Sequence, residues 1–312
     1  MQRKFYSFMI AVFMVFVIAC AGFAEIPDKI GTEDAAFLKI EPATRPVAMG
    51  GAFAGLANDV NAIFWNPAGL TQVEKKELTT MYNRWLANIR YASAAYAQNV
   101  GKGAAVGVSV QGLWTEYEKR TGDTEEPEST TSVYSYAAGL SGSYALVPNA
   151  LSLGGTVKFL NQDFDGDSSN GVCADIGGLV HVAGLRVGIS AQNLKLQMSN
   201  ETNLPTGMRI GGSYQLDKDS VVAVEYSKYG SADPSYHLGI EKWFKGIIAL
   251  RLGYNISSGD NPRKGLSAGI GLRAYGTKPL DNMDFQLDYA YVPAPDWGSL
   301  GDTHRISMLV RF

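Results

Sequence analysis

From about residue 77 to the C-terminus, apolar and polar side chains alternate with a period of two. Val222, Val224 and Tyr226 fall on one face of one such segment. Met283, Phe285, Leu287, Tyr289 and Tyr291 share a face against Asp284, Gln286 and Asp288. Leu266, Ala268, Ile270, Leu272 and Ala274 interleave with Ser267, Gly269, Gly271 and Arg273. Ile248, Leu250, Leu252 and Tyr254 do the same with Ala249, Arg251, Gly253 and Asn255. Such a period places successive side chains on opposite faces of an extended strand. About fourteen segments of this kind follow one another, the first at 77–85 and the last at 303–312, which predicts an all-β chain.

The connections alternate in length. Short ones fall at 101–103, 148–149, 183–184, 217–219 and 245–246, and longer polar ones at 120–130, 163–170, 195–205, 229–234, 258–263 and 293–302. Only 86–87 is short where this scheme wants a loop. Short turns at one end and long loops at the other are the habit of outer-membrane barrels. A soluble β-sandwich also alternates, but three features favour the barrel. The even strand count returns both ends to one side. Aromatics gather near strand ends, at Trp114, Tyr134, Tyr136, Tyr144, Tyr254 and Tyr291. The last strand closes on the amphipathic run 305–312, ending in Phe312, which resembles the assembly signal of bacterial outer-membrane barrels. The expected fold is therefore a 14-stranded antiparallel transmembrane β-barrel over 76–312.

With the apolar row against lipid, the other row lines a lumen. It carries Lys158, Asp175, Arg186, Arg209, Glu225, Glu241, Arg251, Arg273, Asp284, Asp288 and Arg311. On the lipid face each charge would cost about 2–4 kcal/mol near the midplane. Eight further lumen positions are glycine: Gly154, Gly177, Gly188, Gly211, Gly239, Gly253, Gly269 and Gly271. A wall this wide, and bare of side chains in places, is either an open pore or plugged.

Residues 25–75 supply the plug. The stretch lacks alternation, is rich in Gly and Ala, and holds Pro46 and Pro67, which remove donors and limit helix. Pro67 biases Asn66 away from helix and so predicts a bend. Phe64 and Trp65 give that bend an apolar surface.

Residues 1–24 read as an export signal. Arg3 and Lys4 precede an apolar run from Phe8 to Ile18, too short and too N-terminal for a membrane helix, and small residues lead to cleavage after Ala24. Val17 to Cys20 also resembles a lipobox, which would instead leave Cys20 lipidated. After cleavage at Ala24 only Cys173 remains, so no internal disulfide can form. The net charge of -3, with both signs interspersed, leaves no nucleic-acid footprint.

No catalytic or cofactor constellation emerges. His181, His237 and His304 fit no metal or triad spacing, and Cys173 reads as a small lumen filler. Asp163, Asp165, Asp167 and Asn170 lack the Gly and Glu of a calcium loop and read as a solvated acidic turn. Gly50, Gly51 and Gly55 do not follow the strand of a βαβ unit, so no dinucleotide loop is expected.

The segments 45–53 and 58–70, with Asn66-Pro67-Ala68 in the second, resemble the N-terminal hatch of the FadL superfamily, and the chain is most similar to its PorV/PorQ branch. The resemblance implies a monomeric, non-enzymatic barrel in the bacterial outer membrane with its hatch in the lumen. It further implies a hatch and substrate path through Arg45, Met49, Phe53, Phe64, Trp65, Asn66, Pro67 and Ala68. FadL-type proteins pass long-chain fatty acids and other hydrophobic compounds, whereas PorV-type relatives serve type IX secretion, holding or shuttling exported proteins. The expected partners are thus outer-membrane lipid, the assembly machinery, and either hydrophobic small molecules or secretion-system proteins. Outer loops shorter than those of fatty-acid transporters argue against an external lipid-capturing groove.

Overall fold

The computed structural model describes residues 34–312 except 86–88, 121, 124–125, 200–202, 231, 258–263, 277–281 and 294–301. The expected signal segment and the lipobox cysteine lie outside the described residues. Fourteen antiparallel strands close into a single barrel in which each strand pairs with its neighbours in sequence and β1 closes on β14. The strands are β1 (Lys76–Arg84), β2 (Arg90–Gly101), β3 (Ala104–Lys119), β4 (Ser129–Val147), β5 (Leu151–Phe164), β6 (Asp167–Val182) and β7 (Leu185–Met198). The second half comprises β8 (Gly207–Asp217), β9 (Ser220–Tyr229), β10 (Ser235–Phe244), β11 (Ile248–Ser257), β12 (Gly265–Tyr275), β13 (Asp284–Val292) and β14 (Thr303–Arg311).

Alternation resolves as expected, with the usual inside-out sense of a soluble protein reversed. Leu140, Val224, Leu250, Leu252 and Ile306 stand exposed on the outer face, while Arg209, Glu225, Glu241, Arg251 and Asp288 are buried inside. The seam is closed by the chain ends: Lys76 and Phe312 exchange backbone hydrogen bonds, and β1 and β14 pair from Glu77–Arg311 to Arg84–His304.

One expected loop is absent. Residues 163–170 belong instead to a hairpin, because β5 and β6 run on to Phe164 and Asp167 and turn through two residues. Asp165 and Gly166 both adopt positive φ, 56° and 91°, as the tight twist-matched hairpin turn demands. An Asp-Gly pair between alternating segments is the signal for this turn. Lys119 Nζ lies 2.8 Å from Asp165 Oδ2, and that hydrogen bond holds the carboxyl below its ordinary pKa range.

Residues 34–75 run through the barrel. Two one-turn helices, α1 (Thr44–Ala48) and α2 (Ala62–Trp65), are flanked by 3-10 turns at Ala36–Lys39 and Pro67–Gln72. Pro46 sits in the first turn of α1, where its missing N–H costs nothing. Asn66 is extended (φ -153°, ψ 98°) and caps the turn that begins at Pro67, accepting from the Ala68 N–H. The bend expected there is present. The main apolar core lies between this segment and the wall, around Val47, Met49, Phe53, Leu56, Ile63 and Trp65.

Candidate functional site

The wall is shaped to receive the N-terminal segment. A Cβ placed on Gly253 would lie 1.9 Å from Gly50 N, on Gly188 2.0 Å from Ala54 O, and on Gly177 2.1 Å from Asn66 Oδ1. On Gly154 it would meet Ala68 N at 2.4 Å, on Gly239 Met49 O at 2.5 Å, and on Gly269 Ala48 Cβ at 2.5 Å. Gly211 is likewise pressed against Gly55. The eighth lumen glycine, Gly271, instead makes room for the Arg251–Asp288 ion pair. Backbone approach this close is available only without a side chain.

Polar residues two or four positions from these glycines tie the segment down. His237 Nδ1 is 2.6 Å from Gly50 O, and its Nε2 is 2.8 Å from Ser227 Oγ. Ser190 donates to Trp65 O at 2.7 Å, and Gln192 donates to Phe64 O at 2.8 Å. Ser213 donates to Gly55 O at 3.1 Å, and Ser267 accepts from Gly50 N at 3.1 Å. Thr71 donates to Ser152 at 2.8 Å. Asn66 Nδ2 donates both to Ala54 O (2.9 Å) and to Gly178 O of β6 (3.0 Å), joining plug to plug and plug to wall.

Ion pairs complete the attachment on two sides. Arg45 donates from Nε and Nη2 to the Glu241 carboxylate (2.8 and 2.7 Å) and from Nη1 to Asp59 (2.6 Å) and Asn58 (2.8 Å). Burial opposes its charge, but the Glu241 and Asp59 carboxylates outweigh that and hold its pKa above the ordinary arginine value. Glu241 also accepts from Arg251 (2.6 Å), which reaches Asp288 (2.7 Å). Asp288 accepts from Gln286 (2.8 Å), Gln286 accepts from Arg311 (3.2 Å), and Arg311 reaches Glu77 (2.9 Å). Glu77 then accepts the Val60 N–H at 2.7 Å, so the chain of bonds leaves the plug at Arg45 and returns to it at Val60. On the other side Arg209 pairs with Glu225 (2.5 Å) and Glu41 (3.2 Å), and Glu225 accepts the N–H groups of Phe53 and Ala54.

Between the two ion-pair groups runs a stack of cations and rings. Arg45 lies 5.4 Å from the Phe53 ring, which meets Trp65 edge-on with centroids 6.0 Å apart. Arg209 covers the other partner, 5.2 Å from the Trp65 ring and 5.3 Å from Tyr229. Cations over ring faces are attracted by the ring quadrupole, more so when desolvated.

Seven of the eight residues assigned to the hatch path, Arg45, Met49, Phe53, Trp65, Asn66, Pro67 and Ala68, are buried together in this plug. Phe64, the eighth, is half-buried and borders a cavity of about 30 Å3 with Trp65, Lys158, Asn193, Arg209 and Tyr229. Below the plug, at the short-turn end, a polar vestibule of about 600 Å3 is lined by Arg45, Glu77, Glu241, Arg273 and Arg311. Phe312 lies apart from the plug, at the rim, its ring 5.8 Å from Lys76 Nζ and 6.4 Å from Tyr96. Glu41, Glu77, His237, Ser190 and Gln192 were not among the expected site residues. A signal for two of them was present: Ser190 and His237 each stand two residues from an inward glycine, as do Glu241 and Arg209.

Two solved structures share this architecture. The Pseudomonas putida toluene transporter TodX superposes with a TM-score of 0.60 at 12% identity, covering 87% of this chain and 97% of its own. The CymD monoaromatic hydrocarbon channel gives a TM-score of 0.57 at 14% identity, again covering 87% and 97%. At such identity the likeness establishes the 14-stranded fold. No curated protein sequence matches the chain. A family model matches residues 13–260, most of the chain, and on that ground the chain belongs to the uncharacterised protein family UPF0164.

Proposed function

We propose that the protein is an outer-membrane barrel of FadL type that passes small hydrophobic compounds, with residues 34–75 as a hatch that gives way at the Asn66–Pro67 bend. The observation that carries this reading is how the hatch is held. Among the described residues, no backbone–backbone hydrogen bond joins residues 35–73 to the wall. Side-chain bonds, ion pairs and glycine packing hold it, so it can part from the wall without breaking the sheet. The apolar exterior supports placement in a membrane, and the likeness to TodX and CymD supports hydrophobic cargo. The moving part in this reading is 62–72, which borders the small cavity through Phe64 and Trp65.

A second reading is a PorV-like accessory of type IX secretion, in which the sealed barrel is a platform for exported proteins. The size of the cavity favours it: about 30 Å3 is room for water rather than for a ligand. The short outer turn at Asp165–Gly166 points the same way.

Reconstitution of the purified barrel in liposomes separates the two. Flux of toluene or oleate well above that of empty liposomes is expected. Flux equal to empty liposomes, with secretion proteins copurifying from the native membrane, would reject transport in favour of the second reading.

A further inference from the structure

Three arginines line the polar vestibule at the short-turn end, and carboxylates are shared unequally among them. Arg45 is paired with Glu241 and Asp59, and Arg311 with Glu77. Arg273 of β12 has no carboxylate partner among the described residues. Its guanidinium makes one hydrogen bond to them, from Nη2 to Gln286 Oε1 at 3.1 Å, and its Nε is buried without an acceptor. A guanidinium carries five N–H donors, so this one is left far from satisfied.

The side chain is nonetheless held in place. Trp243 of β10 stands opposite Ala249 of β11, which stands opposite Gly271 of β12. These two small residues keep the inner face of the wall low, and Arg273 reaches across them to within 4.3 Å of the Trp243 ring centre. Arg251 lies over the same ring at 5.6 Å, but its charge is met by Glu241 and Asp288. A ring attracts a cation without satisfying its N–H groups. Gln286 is buried, and its one carbonyl oxygen also accepts from Arg311 Nη1 at 3.2 Å. Two guanidiniums thus converge on a single neutral acceptor beside a cavity of about 600 Å3, a volume typical of small-molecule sites. Lys75, Lys76 and Lys218 stand exposed around it, and the carboxylate of Asp284 in the same wall bonds to neither guanidinium.

We infer that Arg273 and Arg311, with Gln286 between them, form a binding site for a small oxyanion, a carboxylate or phosphate group that enters from the short-turn end. One such group accepts from both guanidiniums and replaces their repulsion with charge-assisted hydrogen bonds. The planar fork of arginine matches carboxylate and phosphate oxygens, as the point charge of lysine does not. Asp284, two residues from Gln286 on the same face of β13, opposes the anion and so sets an upper limit on its affinity. The site lies in the vestibule and does not depend on what the barrel passes.

The test titrates sodium phosphate and sodium succinate, separately, into the full barrel in detergent micelles by isothermal calorimetry, with sodium chloride holding the ionic strength constant. The wild type is expected to bind at least one of the two anions, R273Q to bind it about tenfold more weakly or worse, and D284N to bind it more tightly. K102Q, on an exposed turn outside the vestibule, is expected to bind as wild type. Binding of phosphate alone assigns the ligand a phosphate group, and binding of succinate alone a carboxylate; either result supports the site. Should R273Q not fold, as judged by heat-modifiable mobility, D284N decides the matter. No binding by the wild type, equal affinity in folded R273Q, or unchanged affinity in D284N overturns the inference. Absence of liposome flux would overturn the transport reading and leave this site standing.

Discussion

Arg45 and Glu241, 196 residues apart, are joined by two parallel hydrogen bonds of 2.8 and 2.7 Å. Arg45 belongs to the plug and Glu241 to β10, and both are nearly inaccessible to solvent. Two-pronged contacts of this kind fix orientation as well as distance, so this pair sets how the plug sits against the wall.

Removing one partner of a buried pair leaves the other charge uncompensated and costs about 3–5 kcal/mol. Arg45→Met is accordingly expected to loosen the plug while the barrel stays closed. Trypsin should then cut within residues 34–75, and heat-modifiable mobility should be retained. Arg45→Lys keeps the charge without the fork and should fall between wild type and Arg45→Met. Equal protease resistance in all three would show that the pair does not hold the plug.

The wall glycines give a sharper contrast. Gly188→Ala would drive a methyl to 2.0 Å from Ala54 O, whereas Gly142→Ala points into open space outside. Gly142→Ala should be neutral or stabilising by up to about 1 kcal/mol, and Gly188→Ala should destabilise by more than that. Urea unfolding followed by tryptophan fluorescence checks both, since Trp65 lies in the plug.

Asn66 is expected to tolerate neither Ala nor Asp. Asn66→Ala loses two donated bonds and the cap accepted from Ala68. Asn66→Asp keeps the cap but sets an acceptor against the carbonyls of Ala54 and Gly178. Each buried group left unpaired costs about 1–3 kcal/mol, so both variants should unfold at clearly lower urea. A wild-type midpoint for Asn66→Asp would mean that the donated bonds contribute little.

Phe312 carries a different expectation. Its ring sits at the rim beside Lys76 and Tyr96, outside the plug. Phe312→Ala should lower the amount of barrel assembled in cells while leaving the unfolding midpoint of the folded fraction within about 1 kcal/mol of wild type. An unchanged yield would remove its role as an assembly signal.

The sequence made the strands legible because one face meets an apolar environment and the other a polar one, so alternation persists across the whole wall. It made the lumen glycines legible for the same reason, and seven of eight receive the plug. The hairpin at Asp165–Gly166 reads as a loop in the sequence because Asp163, Asp167 and Asn170 are polar, yet they continue β5 and β6 beyond the apolar band. Polarity reports where the band ends, not where the strand ends. The ion-pair circuit could not be read, because it depends on which strands close beside which part of the plug. Glu77, Glu241 and Asp288 meet through three-dimensional proximity alone. Nor was it legible that the plug's first residues reach the loop end, where Asp34 accepts from Ser169 at 3.0 Å.

The central claim is that passage requires residues 62–72 to leave the wall. Thr71 and Ser152 side chains already touch at 2.8 Å, so T71C/S152C in a Cys173→Ala background places a disulfide across that contact. Toluene flux into liposomes is then measured before and after oxidation. The account predicts that oxidation lowers flux by about tenfold or more, a shift of about 1.4 kcal/mol per decade, and that reduction restores it. Flux that is the same in the oxidised and reduced protein would contradict it.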